Sequence, residues 1–243
     1  MLSQVTLWAE RAGMVLDAVL LLRIAQLKLS RTYVFILLFA LLNLFYDGVE
    51  IWMGRDSIQF TRVAIYSRFV YAIVFPLTTW DLFEEAKPMI DKIRRLAMTR
   101  MISSLLFITL WGLLIAAFTG EDGDSSQYMM RLALVVWTGS VAATLAFLWV
   151  MRKGIKAGPL PLPYNTKVWL RFFQILLVIE AVSCVLLLVV QSVQGMGAKV
   201  VEAIEQVSDP LFILSGILVT GWCVIKLRPI PSDASDVPAD VKG

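Results

Sequence analysis

The sequence predicts an all-α fold, a polytopic transmembrane bundle of seven helices with its N-terminus outside and its C-terminus in the cytoplasm. Three observations carry this expectation. The 243 residues are 58% hydrophobic, with a mean hydropathy of +0.75, where a soluble chain is roughly 45–50% apolar. The apolar residues fall in blocks long enough to cross about 30 Å of hydrocarbon, which takes about 20 helical residues. The lysines and arginines gather in alternate connections between those blocks.

The blocks place spans at 4–26, 33–53, 60–82, 101–119, 128–151, 168–193 and 206–226. The second, fourth, fifth and sixth have the strongest apolar runs, such as Tyr33 to Leu42 and Ile175 to Val190. The first and third are weaker because they carry charges. The first lacks a basic leader and a small-residue cleavage site, so it reads as a span and not as a signal peptide. The seventh has its first turn at Asp209-Pro210, a position that suits proline. Residues 1–228 are thus a seven-helix transmembrane domain, and the polar, proline-dotted residues 229–243 a disordered cytoplasmic tail.

Orientation follows from charge. Basic residues occupy the first connection (Arg23, Lys28, Arg31) and the third (Lys87, Lys92, Arg94, Arg95, Arg100). They recur in the fifth (Arg152, Lys153, Lys156, Lys167, Arg171) and after the last span (Lys226, Arg228, Lys242). Together these are 16 of the chain's 22 basic residues. One of the intervening connections is acidic, Gly120-Glu121-Asp122-Gly123-Asp124. The basic side is cytoplasmic, which implies a plasma membrane, or an inner membrane in a Gram-negative cell. Residues 84–100 have apolar positions at helical spacing and read as a cytoplasmic extension of the fourth helix, with a basic amphipathic segment on the inner membrane surface as the alternative. The Gly-Pro-Leu-Pro-Leu-Pro run at 158–163 reads as a stiff turn.

Ionisable residues inside spans are the functional signal. Each costs roughly 2.5–3.5 kcal/mol at a helix centre on insertion scales, so each should face the bundle or water. The topology places Glu10, Arg11, Asp17, Asp47, Glu50, Arg62, Arg68, Arg131, Glu180 and Asp209 in the outer half or at the midplane, with none deep in the inner half. Glu10, Gly13 and Asp17 stand at i, i+3 and i+7, and Asn43, Asp47 and Glu50 at i, i+4 and i+7, one stripe on each of the first two helices. The candidate site is Glu10, Asp17, Asp47, Glu50, Arg68, Glu180 and Asp209. It reads either as a ligand pocket or as a network of ion pairs that fixes packing, with Arg68 as the natural partner of Asp17, Asp47 or Glu180. Glu10, Arg11, Arg62 and Arg131 lie near enough to the interface to reach water.

Other features are read as structural. Pro76 kinks the third helix for packing. Trp8, Trp52, Trp111, Trp149, Trp169 and Trp222 fit an interfacial belt. Gly112, Gly139, Gly216 and Gly221 allow close helix contact. Cys184 and Cys223 lie in apolar segments and act as small buried hydrophobes. The chain has no histidine, which removes His-ligated haem, His-based metal sites and the usual general base. The acidic loop at 121–124 lacks the spaced ligands of an EF-hand.

Seven spans in this orientation resemble the retinal proteins and G-protein-coupled receptors, over the whole chain but in topology alone. A retinal protein carries a Schiff-base lysine in the seventh helix, roughly one turn past an aspartate. Here Asp209 is followed by Pro210, Leu211, Phe212 and Ile213, and the only lysine of the span, Lys226, is at its end. Neither retinal nor haem is expected, and no cofactor or metal. The sequence therefore implies a non-enzymatic membrane protein with an outward-facing polar pocket, a sensor or ligand-binding subunit. A structural or assembly subunit of a larger complex and a small-solute transporter are the alternatives. Membrane lipids and a cytoplasmic or intramembrane protein are the expected partners, and nucleic acid is not.

Overall fold

Each apolar block with described residues forms a helix close to where its composition places it. The computed structural model describes residues 2–54, 57–87, 99, 102, 103, 106, 110, 125–157, 162–192 and 198–230. Within them run α1 (Leu2–Gln26), α2 (Val34–Met53), α3 (Ile58–Ala86), α4 (Ser125–Ala157), α5 (Tyr164–Ser192) and α6 (Ala198–Lys226). The described residues contain no strand. Four stretches are long and apolar enough to cross a membrane: Val34–Met53, Ile58–Ala86, Met129–Lys156 and Tyr164–Leu186. The predicted fourth span, the acidic loop and the tail beyond residue 230 lie outside the described residues, except that Thr99, Ile102, Ser103, Leu106 and Leu110 are helical and exposed.

Local chemistry sets the helix ends. α1 closes on Lys28 in the left-handed region (φ 55°), followed by a single 3-10 turn at Leu29–Arg31. α2 stops at Gly54, whose φ of 78° a side chain would resist, while its N–H donates to Glu50 O at 2.9 Å. Ser57 caps α3 by accepting from Phe60 N at 3.1 Å.

The helices close a ring. Each packs on its neighbour in chain order, α6 returns to α1, and α3 also touches α5. Contacts give the directions. Tyr33 meets Glu85, and Asn43 meets Tyr71, so α2 and α3 are antiparallel. Arg68 meets Trp137, Ala72 meets Ser140, and Phe83 meets Phe147, so α3 and α4 run parallel. Gly13 lies near Ile217, and Arg23 bonds Leu227 O, so α1 and α6 are parallel too.

Packing divides the ring into two halves. The buried apolar core comes from Leu20 and Ile24 of α1, Ile36 to Ala40 of α2 and Val74 to Ala86 of α3. The other three helices add Val141 to Met151, Leu162 to Leu177 and Cys223 to Leu227. All of these lie toward the end where α1 finishes and α2 begins. That end is closed, and the opposite half is hollow. The outer surface is apolar, with Val15, Leu22, Phe45, Ile73, Leu218 and Ile225 exposed, as a surface against lipid requires.

Both in-helix prolines are accommodated. Pro76 has no N–H to give the carbonyl of Ala72, and the Ser140 hydroxyl of α4 donates to that carbonyl instead at 2.5 Å. Pro210 does not open its helix as predicted. α6 begins at Ala198 and Pro210 lies inside it. The first-turn rule for proline comes from soluble helices, whereas bilayer helices accept interior prolines when neighbours supply the missing bonds. Two other expectations are corrected. Trp169 is fully buried against Tyr33, Phe172 and Phe173, not interfacial, whereas Trp8, Trp52 and Trp149 are exposed. A Cβ on Gly216 or Gly221 would meet nothing within 4 Å, so neither marks a close helix contact. Cys184 and Cys223 are free and buried.

Candidate functional site

The hollow half holds two adjoining cavities of about 300 and 330 Å³. The first lies among α1, α2, α5 and α6 and is lined by Glu10, Gly13, Asp17, Asn43, Tyr46, Asp47, Glu50, Gly216 and Thr220, among others. The second reaches α3, α4 and α5 and is lined by Asp17, Asn43, Tyr46, Asp47, Ser67, Arg68, Tyr71, Trp137 and Glu180. Asp17, Asn43, Tyr46, Asp47 and Leu176 border both. The two polar stripes are the cause: helical spacing puts Glu10, Gly13 and Asp17 on one face of α1, and Asn43, Asp47 and Glu50 on one face of α2, and both faces turn into the ring. Six of the seven candidate residues border this space. Asp209 falls within α6, one residue before Pro210, and its side chain lies outside the described residues.

The expected ion pair at Arg68 does not form. Arg68, Asp17, Asp47 and Glu180 take part in no hydrogen bond or ion pair among the described residues. The Arg68 guanidinium sits instead over the Trp137 ring, 5.5 Å from its centroid. A helix stripe specifies a face but not the distance across the bundle. Here α2, α3 and α5 stand far enough apart at this level to leave space between the charges. The indole N–H of Trp137 is buried without a hydrogen-bond partner among the described residues, so the cavity wall also carries a free donor. Tyr71 donates to Asn43 Oδ1 at 2.8 Å, which ties the α2 stripe to α3.

The floor is aromatic. Phe39 and Phe75 line the second cavity. Phe39 packs on Phe75 at 5.8 Å, on Tyr71 at 6.2 Å and on Phe173 at 5.5 Å between ring centroids. Beneath these rings lies the solid core, so in this conformation the hollow ends blind.

A second polar cluster, at the closed end, escaped the sequence reading and corrects it. Asp81 belongs to the third span yet lies toward the closed end, away from the predicted group of charges. It is 7% exposed. Its carboxylate accepts from Phe35 N at 2.7 Å and Ile36 N at 2.9 Å, capping the N-terminus of α2 from a neighbouring helix. One turn on, Glu85 Oε2 accepts from Tyr33 at 2.6 Å and from Thr166, joining α2, α3 and α5. Asn165 and the backbone of Arg228 exchange two hydrogen bonds of 2.7 and 3.0 Å, and Arg23 donates to Leu227 O at 3.2 Å. These contacts close the end of the ring. The only sequence signal for Asp81 was an acid one helix length from an uncapped helix start, and no spacing rule joins two residues so far apart.

Among the described residues no group of three or more Cys, Asp or Glu side chains is arranged to hold a metal ion. The carboxyls of the hollow are spread over α1, α2 and α5. No protein-family model, curated protein or solved structure matches the chain.

Proposed function

We propose that the chain is a seven-pass membrane protein of non-enzymatic function, whose outward-facing hollow binds a small ligand, as a sensor or the ligand-binding subunit of an assembly. The observation that carries this reading is that Asp17, Asp47, Arg68 and Glu180 border one cavity without pairing with each other. Charges kept in a bilayer for packing alone are held in mutual contact, because an uncompensated charge is costly there. Charges left apart around a space of about 330 Å³ have room for a ligand or water between them. Three carboxyls (Asp17, Asp47, Glu180) against one guanidinium around the second cavity favour a cationic or dipolar ligand.

Seven crossings are supported by helix direction. Parallel neighbours α3 and α4 require the chain to return across the membrane between them, and the 37 residues from 88 to 124 hold one apolar block for that purpose. Six crossings would leave α1 and α6 antiparallel, and they are parallel. The basic connections fall at the closed end, so the positive-inside rule turns the hollow outward, in a plasma membrane or a Gram-negative inner membrane. A reporter fused after Gly243 is then expected to behave as cytoplasmic and one inserted within 121–126 as external. The opposite pattern reverses the assignment of the hollow.

Access tests the pocket itself. In a chain with Cys184 and Cys223 changed to alanine, Ser67→Cys places a thiol on the cavity wall. It is expected to react with a membrane-impermeant methanethiosulfonate added outside intact cells, while Ala86→Cys in the closed core stays unreacted until the protein is denatured. Protection of the cysteine at 67 until denaturation would make the space dry and the charges packing elements.

A further inference from the structure

Away from the hollow, α4 and α5 meet at the closed end through one exposed polar contact, Arg152 Nη1 donating to Gln174 Oε1 at 3.2 Å. Gln174 stands three residues past Arg171 on the same face of α5. The contact therefore brings two exposed arginines from different helices to within about one helical turn of each other. Lys153, beside Arg152, lies over Trp149 with its ammonium 3.5 Å from the ring centroid, and Trp149 itself is 57% exposed. No Asp or Glu occurs anywhere between Asp124 and Glu180. Neither helix therefore offers these cations an acid at this end, although a soluble surface normally intersperses the two signs.

The faces that carry these cations continue as apolar strips. Beyond Arg171, α5 exposes Ile175, Val178 and Val182 in the same column. On α4, the column through Lys153 and Trp149 continues as Ala142 and Ala146, both exposed and small. Cations at the end of the bundle, an amphipathic ring beside them and an apolar strip running toward the bilayer centre match the parts of a phospholipid: phosphate, interface and acyl chain. Inorganic phosphate or an acidic peptide would meet the cations but leave the strips unused.

We propose that the α4–α5 face binds an anionic membrane phospholipid, its phosphate held by Arg152, Lys153 and Arg171 and an acyl chain laid along Ile175 and Val178 of α5. The site is separate from the hollow and rests only on the chain being a membrane protein, so it stands or falls independently of the ligand pocket.

The test is lipid binding to the purified full chain in neutral detergent, with fluorescent phosphatidylglycerol and phosphatidylcholine of identical chains. The charged lipid is expected to bind tighter by roughly tenfold or more. Arg152→Gln with Lys153→Gln and Arg171→Gln should abolish that preference. Lys28→Gln with Arg31→Gln, on the α1–α2 connection, should retain it. Should the triple variant fail to fold, Arg171→Gln alone is expected to lose most of the preference. Equal affinity for the two lipids overturns the proposal. So does an equal loss in the Lys28/Arg31 variant, which would make the attraction a property of the whole basic end. Displacement of the lipid by millimolar inorganic phosphate in place of competing phosphatidylglycerol would overturn it as well, by making this a solute site.

Discussion

Changing Asp81 to alanine is expected to destabilise the protein by about 2–4 kcal/mol, because it removes a charged acceptor from two buried backbone donors at once. The N–H groups of Phe35 and Ile36 are among the first in α2 and have no partner within their own helix. In water such donors would rehydrate. Here they sit in a closed apolar end, beside Ile36 and Leu82, which are fully buried. The carboxylate also lies at the positive end of the α2 dipole, which adds to its effect. Asp81→Asn keeps one acceptor oxygen and loses the charge, so roughly half the loss is expected. The consequence reaches the hollow, because α2 carries Asn43, Asp47 and Glu50 on one rigid rod anchored at this cap. Thermal unfolding in detergent measures the effect, and a change under about 0.5 kcal/mol for Asp81→Ala, the range of an ordinary surface substitution, would mean that water or another group caps α2.

What could be seen in the sequence follows from what each interaction depends on. Helix positions were legible because they depend on local composition, and α2 at Val34–Met53 falls within one residue of the span at 33–53. The convergence of Glu10, Asp17, Asp47 and Glu50 was legible because helical spacing alone puts polar residues on one face. The start of α6 was not. Polar residues can carry a helix past the hydrocarbon edge, so hydropathy marks the slab and not the helix end. The relation of Asp81 to Phe35 was hidden because its partner is backbone, which leaves no trace in residue type. The Arg68 geometry is hidden for the opposite reason. Complementary residue types were present, but whether they touch depends on the width of the bundle at that level, and aromatic packing at Phe39, Phe75 and Phe173 sets that width just below.

Arg68 offers the sharpest separation between a pocket and a packing network. A network predicts that Arg68→Gln leaves a buried carboxylate uncompensated and costs roughly 3–5 kcal/mol, with much of the loss restored when its partner is changed too. The geometry predicts otherwise. Arg68 touches Trp137 and no acid among the described residues. Its neutralisation should therefore change stability by less than about 1 kcal/mol, and Arg68→Gln with Glu180→Gln should couple by no more than about 1 kcal/mol, the interaction of two charges across a wet cavity. The large effect belongs in the cavity. Two unit charges about 6 Å apart interact by about 3 kcal/mol at an effective dielectric of 20, and water in the hollow screens this to about 1 kcal/mol. Removing the one lining guanidinium should thus raise the rate of a cationic thiol reagent at Ser67→Cys and lower that of an anionic one, a change in their ratio on the order of tenfold. Asp47→Asn, on the facing wall, should move the ratio the other way. Unchanged ratios together with a strongly coupled stability cycle would return these residues to the role of packing pairs.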